Sequence, residues 1–281
     1  MIYLIYNPKA ANNHGEEIKD KAVLDLKDEI EAFEIVNGLE INLDEFHQNL
    51  KPEDKLIIIG GDGTIHMFAN IIKKYNVTND LFLYRGGSGN DFLRDIEAEG
   101  KLIQLNKYFK NLPIVEVNGE KRYFINNVCF GMDGEVCVVA NKQRAKHKKK
   151  VSYTTIAAKL VLLDFKRPNA RVIVDGEETS YKKVWAASAL NGRYVGAGMK
   201  LAPEQDRFSG YFTNITIWGQ TRLRTALAFP TIFKGNHVKK SFMVKTKKCK
   251  RIEVFFDKPC GLQVDGEVFT NVTSYVAYYE D

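Results

Sequence analysis

The sequence predicts an α/β domain with a parallel sheet, followed by a mostly antiparallel β domain. Three observations carry this. Up to Pro113, short apolar runs alternate with amphipathic helical stretches. Beyond Pro113, short β runs cluster around Asn-Gly and Asp-Gly dipeptides. The chain has 281 residues, 44% of them hydrophobic, which is long for one compact domain and enough for two sizeable cores.

In order, "MIYLIYN" (1–7) reads as a strand rather than a signal peptide, because no basic segment and long apolar stretch open the chain. Residues 15–30 place Ile18, Val23, Leu24, Leu26 and Ile30 on a candidate helix face. "AFEIVNG" gives a short strand, and "LDEFHQNL" a short helix capped by Asn42. "KLIIIG" is apolar on both faces, as central parallel strands are. "TIHMFANIIKKY" has helical spacing, and "DLFLYRG" is a further buried strand. The expectation is a three-layer α/β unit. Hairpins are expected at Asn118-Gly119 and Asp175-Gly176, followed by a series of short strands interrupted by helices at 152–166 and 221–234. The boundaries read as 1–113 for the first domain, with a strand from 271–281 returning to it, and 114–270 for a β-sandwich.

No run approaches the roughly 18 apolar residues of a membrane span. The four cysteines form no CxxC pair and read as reduced core residues of a cytosolic protein. The five histidines show no zinc-ligand spacing. The formal net charge is +6, concentrated in 142–150 (six Lys/Arg) and 239–251 (seven). Either run could face anionic lipid or nucleic-acid phosphates, or be a solvated loop. No recognised nucleic-acid module accompanies them, so no nucleic-acid partner is expected.

The strand 56–59 runs into Gly60, Gly61, Asp62, Gly63 and Thr64. A loop leaving a parallel strand and opening a helix aims N–H groups outward, and the helix N-terminus adds partial positive charge. Glycines let phosphate oxygens approach the main chain. An isolated Asp62 would repel polyphosphate, but it makes sense beside Mg²⁺. The device recurs at 81–91, where an apolar strand meets Gly86, Gly87, Ser88, Gly89, Asn90 and Asp91. Alone, each loop reads equally as a tight turn with Asp62 or Asp91 capping a helix. Two such loops would project from one sheet edge, where α/β proteins bind ligands. P-loop, strand-linked GxGxxG and GxSxG spellings are absent.

"GGDGT" (60–64) followed by "GGSGNDFLR" (86–94) resembles the diacylglycerol kinase catalytic-domain superfamily, in particular its soluble bacterial lipid kinases, on the fold shared with NAD kinases. The resemblance extends to "YNPKA" (6–10), "FINNVCFGMDGEV" (124–136), "NGRYVGAGMKLAP" (191–203) and "DGE" (265–267). NAD kinases share GGDGT without a following GSGND. Sphingosine kinases lack the Asp of the triplet at 89–91, which leans toward a glycerolipid. The chain departs from the pattern at "KAANNHG", at Ser88, and at Ser209-Gly210, where some members bind a structural Mg²⁺; Asp206 stands nearby.

The resemblance implies an ATP-dependent kinase acting on the hydroxyl of diacylglycerol or a similar lipid. Asp265 is implied as general base with Glu267 supporting it, and Asp62 as the residue that helps hold Mg²⁺, through water. Asn7, Gly60, Gly61, Gly63, Thr64, Gly87, Ser88, Gly89, Asn90 and Asp91 would hold ATP. Asn127, Asp133, Asn191 and Gly192 match family positions lining the cleft, and His66 reads as structural. Asp175 belongs to the other DGE copy and reads as a turn residue. The site would lie between the domains, since Asp62 and Asp265 come from different ones. A cytoplasmic protein peripherally associated with the inner membrane face is implied, with an anionic surface as partner and a homodimer as an option. A kinase of a soluble hydroxyl compound such as NAD, or a non-catalytic nucleotide or lipid sensor, are the alternatives.

Overall fold

A computed structural model describes residues 1–8, 10, 14–27, 30, 32–86, 90–146, 152–196 and 198–280. It divides into two units, Met1–Leu112 and Pro113–Asp281. The first contains β1 (Ile2–Tyr6), α1 (Gly15–Leu26), β2 (Glu34–Asn37), α2 (Leu43–Asn49), β3 (Lys55–Gly60), α3 (Asp62–Tyr75), β4 (Asp80–Arg85), α4 (Asp91–Asp95), β5 (Leu102–Gln104) and α5 (Asn106–Phe109). The strand order is β2-β1-β3-β4-β5, parallel throughout except for the β4–β5 pair. Leu4, Tyr6, Ile57 and Ile59 pack with Ala22 and Leu26 of α1 on one face. The opposite face presents Ile5 and Leu56 to Phe46 of α2 and to Phe68 and Ile72 of α3. Both faces are therefore covered, which is why β3 reads as an unbroken apolar run. Asn42 caps α2, its Oδ1 accepting the Glu45 N–H at 3.3 Å.

The second unit contains β6 (Ile114–Val117), β7 (Glu120–Tyr123), β8 (Asn127–Phe130), α6 (Met132–Lys146), α7 (Tyr153–Lys159) continued by a π-helical turn (Leu160–Asp164), β9 (Ala170–Val174), β10 (Glu177–Tyr181), β11 (Ala186–Leu190), β12 (Phe212–Ile217), α8 (Arg222–Ala228) continued by a 3₁₀ turn (Phe229–Ile232), β13 (Val244–Cys249), β14 (Arg251–Val264) and β15 (Glu267–Tyr278). Among the described residues these ten strands form one antiparallel sheet, branched at β14. Ile252–Phe256 of β14 pair with β9, while Leu262–Val264 pair with β8. The Asn-Gly and Asp-Gly turns at 118–119 and 175–176 hold the paired positive φ angles (51° and 80°, 48° and 84°) that two-residue hairpins require.

Two expectations need correction. The C-terminal strand does not return to the first unit. Residues up to Tyr278 pair with β14 and with β6, because the alternation along β15 matches the core of the antiparallel sheet. Residues 132–146 form a helix that the β-rich reading of 114–270 omitted. Gly134 explains how it packs: a Cβ there would sit 2.1 Å from the Gly261 carbonyl oxygen, so this helix lies directly on β14. The basic run 142–150 closes α6 up to Lys146, and its remainder lies outside the described residues. Within the run 239–251, Val244–Cys249 form the edge strand β13, where exposed Lys245 and Lys248 oppose edge-to-edge pairing.

Candidate functional site

In the first unit, β1, β3 and β4 are adjacent and parallel, so Asn7, Gly61–Thr64 and Gly86 leave the sheet at the same strand ends. The Gly86 N–H donates to the Gly60 carbonyl at 2.9 Å, joining the two loops at their roots. Gly60 tolerates no side chain: a Cβ would lie 2.3 Å from Thr64 Oγ1. At Gly63 a Cβ would meet nothing within 4 Å, so the loop's outer side is open to a ligand. Gly61 caps α3, a 14-residue helix, and its carbonyl accepts the N–H groups of Thr64 and Ile65. Thr64 and His66 are buried. Gly87, Ser88 and Gly89 lie outside the described residues.

Asp62 does something the sequence did not suggest. Its Oδ2 accepts the Asp91 N–H and its Oδ1 the Phe92 N–H, both at 2.9 Å. The carboxylate of the first loop thus caps the helix that follows the second. Capping was an option for each aspartate, but across loops it ties both bends into one unit. Asn90 immediately precedes α4, its carbonyl accepting the Arg94 N–H at 2.9 Å, and Asp91 is buried at the helix start. No group of three or more metal-ligating side chains exists among the described residues.

In the second unit, Asp265 occupies the β14–β15 hairpin turn, with φ of 47° followed by 96° at Gly266. Its carboxylate, 8% exposed, accepts three backbone N–H groups: Ile125 on Oδ2 at 2.6 Å, and Asn126 and Asn127 on Oδ1 at 2.8 Å each. The other DGE copy is also a hairpin turn. Asp175 there is exposed, and its Oδ1 accepts the Lys250 and Arg251 N–H groups at 3.0 and 2.9 Å. Turn geometry does not separate the copies, but burial does. Glu267 is 43% exposed and pairs with Arg122 at 3.6 Å. Asp206 Oδ1 accepts the Phe208 N–H at 2.9 Å and so closes a turn beside Ser209-Gly210.

A buried polar network surrounds Asp265. Gln263 Nε2 donates to Asn127 Oδ1 (2.5 Å) and to Asp133 Oδ2 (3.0 Å), and Gln263 Oε1 accepts the Gly266 N–H (2.7 Å). Asn191 Nδ2 donates to the Ile125 carbonyl (2.9 Å), and the Tyr279 hydroxyl donates to Asn191 Oδ1 (2.8 Å). The Gly192 N–H donates to the Asn126 carbonyl at 3.0 Å. Arg207 reaches the Ile125 carbonyl and Asn126 Oδ1 at 3.3 and 3.2 Å. Burial pushes the Asp133 carboxyl above the usual carboxylate range, with the Gln263 hydrogen bond opposing.

Asp133 also lines a partly open apolar cavity of about 80 Å³. Met132, Trp185, Val195, Met199, Phe229 and Ile232 form much of its wall. Three lining atoms, Trp185 Nε1, Ser188 Oγ and His237 Nδ1, are buried without a hydrogen-bond partner. His237 Nε2 meets the Leu201 carbonyl oxygen at 3.0 Å, and burial lowers its pKa. The neutral ring therefore leaves Nδ1 as an acceptor at the cavity. Sequence reasoning missed this cavity and the Gln263, Arg207 and Tyr279 positions.

A parallel sheet with two glycine bends joined at their roots is an α/β arrangement suited to a phosphate-bearing ligand. Residues 1–115 match the diacylglycerol kinase catalytic domain, and 126–278 match the YegS C-terminal NAD kinase beta sandwich-like domain. The chain belongs to the diacylglycerol kinase catalytic-domain superfamily. It is 25% identical over 234 residues to a diacylglycerol kinase of Mycobacterium tuberculosis, covering 78% of this chain and 74% of that one. It is 20% identical over 291 residues to a diacylglycerol kinase of Staphylococcus carnosus, covering 98% and 94%. Its fold matches a solved diacylglycerol kinase of Bacillus anthracis with a TM-score of 0.63 at 16% identity, over 99% of this chain and 93% of that one.

Proposed function

We propose that this protein is a lipid kinase that transfers the γ-phosphoryl group of ATP to the hydroxyl of diacylglycerol or a similar lipid, giving phosphatidic acid or its analogue. The observation that carries the lipid acceptor is the apolar cavity of the second unit, which reaches the Asp265 network through Asp133 and Gln263. A soluble, highly polar acceptor such as a dinucleotide has no use for that wall.

Phosphoryl transfer demands positioning and charge neutralisation more than covalent chemistry. In this reading the N–H groups around Gly61 and Gly63, at the positive end of α3, hold the triphosphate. Asn7, Thr64 and the 86–91 loop border it. Magnesium bound to the triphosphate supplies neutralisation of its charge, and Asp62 would hold that ion through water. Asp265 orients the acceptor hydroxyl and takes its proton; three N–H groups fix its carboxylate for that task. Glu267, ion-paired with Arg122, supplies a second negative charge two residues away. A lipid acceptor places the work at the inner face of a membrane, with the protein peripheral to it. No helix among the described residues is long and apolar enough to cross a bilayer.

The test uses γ-labelled ATP, Mg²⁺ and mixed micelles of diacylglycerol, followed by organic extraction. Label is expected in the extracted phosphatidic acid. Label confined to an aqueous product when NAD is supplied would instead establish a soluble-substrate kinase. Nucleotide binding without transfer would establish a sensor.

A further inference from the structure

We infer that the surface formed by the π-helical turn, α8 and the residues up to Phe242 is a docking face for an anionic lipid bilayer; the inference rests on the lipid-acceptor reading above. Soluble proteins seldom expose large contiguous apolar patches without a partner. Here six of the thirteen exposed large hydrophobic residues, among the described residues, fall in two short segments. They are Leu162, Leu163, Leu223, Leu227, Phe233 and Phe242, between 47% and 71% exposed.

The π-helical turn and α8, which carry four of the six, are packed together. Arg222, at the start of α8, donates through Nη1 to the Val161 carbonyl at 2.8 Å and through Nη2 to the Phe165 carbonyl at 2.8 Å, which pins α8 against the π-helical turn. Leu223 and Leu227 are four residues apart and share one side of α8. On its other side Thr225 and Ala228, with Phe229 and Ile232 beyond them, line the apolar cavity, as do Lys240 and Met243. A single short helix thus separates the exposed leucines from the space assigned to the lipid.

Charge identifies the occupant. Between Asp206 and Glu253 the sequence has eleven Lys/Arg and no Asp or Glu. Arg224, Lys234, Lys239 and Lys245 within this stretch are exposed. Asp164, on the π-helical turn, pairs with Lys159 at 3.5 Å. Exposed leucines inside a basic rim match an interface whose acyl region is apolar and whose headgroups are anionic. A second copy would bring the same uncompensated charge against itself across a two-fold contact. Nucleic acid offers phosphates but nothing for the leucines.

The experiment is co-sedimentation of the full chain with vesicles of phosphatidylcholine alone or mixed with phosphatidylglycerol. The wild type is expected to bind the mixed vesicles, more weakly as salt rises. Leu223→Ser with Leu227→Ser is expected to lower that binding by about tenfold or more, and Arg224→Glu with Lys234→Glu to lower it comparably. Melting temperature and phosphorylation of a water-soluble short-chain diacylglycerol are expected to stay unchanged in both, since none of the four residues lines the cavity or the polar network. Absence of wild-type binding, or binding indifferent to both double variants, overturns the docking face. A change in oligomeric state with unchanged vesicle binding also overturns it, in favour of a second copy. Loss of docking with retained transfer to the short-chain acceptor leaves the kinase reading standing. Vesicle binding without transfer to any lipid overturns the kinase reading and leaves the docking face.

Discussion

Asp265→Asn is expected to lower kcat by about 10²–10⁴-fold with a smaller change in KM for ATP, because the reaction loses its proton acceptor. The structure adds a cost to the fold. Asp265 receives N–H groups on both oxygens. Asparagine keeps one oxygen, so it satisfies Asn126 and Asn127 while its amide faces the Ile125 N–H. One buried donor left unmade costs about 1–3 kcal/mol. At about 2–4 °C per kcal/mol for domains of this size, melting falls by several degrees. Asp265→Ala strands all three donors and should lose more stability with no smaller loss of rate. Steady-state kinetics in diacylglycerol micelles, paired with calorimetry, separate the two effects. A variant with lowered melting and a kcat within twofold of wild type would make Asp265 purely structural.

Asp62→Ala is expected to lower kcat/KM for ATP by about 10²-fold or more. The variant loses the acceptor for the Asp91 and Phe92 N–H groups, each a charge-assisted bond of about 1.5–3 kcal/mol before discounting for its half-buried setting. It also loses the negative charge offered to the magnesium ion on the triphosphate. Asp62→Asn keeps one oxygen for α4 and no charge. If capping alone matters, the asparagine variant recovers part of the activity at an unchanged Mg²⁺ requirement. If the charge matters as proposed, its half-saturating Mg²⁺ concentration rises while α4 stays ordered. Activity followed across a Mg²⁺ titration in both variants decides. Wild-type kinetics in Asp62→Ala would remove the first loop from the site.

The sequence made the loops legible because strands ending in glycine leave few physical options, and Gly60 indeed has no room for a Cβ. Asp62 was legible as important, but its partners were not. They are backbone N–H groups about thirty residues away, and an N–H carries no residue identity. The same holds for Asp265, whose three donors are main-chain groups of 125–127. Residues 132–146 resisted a helical reading because "EVCVV" is rich in β-branched residues and Gly134 weakens helix propensity. Close packing of Gly134 on Gly261 reverses both preferences. The final strand was misplaced because its alternation specifies a half-buried strand but not which sheet it joins. The cavity draws its wall from residues as far apart as Cys129 and Val244, so no local pattern announces it.

The central claim is that two glycine bends from one sheet edge grip a single nucleotide. Amide NMR of the ¹⁵N-labelled protein during titration with Mg²⁺ and a non-hydrolysable ATP analogue measures this most directly. The account predicts that the amides of Gly61, Gly63 and Thr64 and those of Gly86, Asn90 and Asp91 shift together and saturate at one common Kd. Shifts confined to one loop, or two loops saturating at different concentrations, would contradict it.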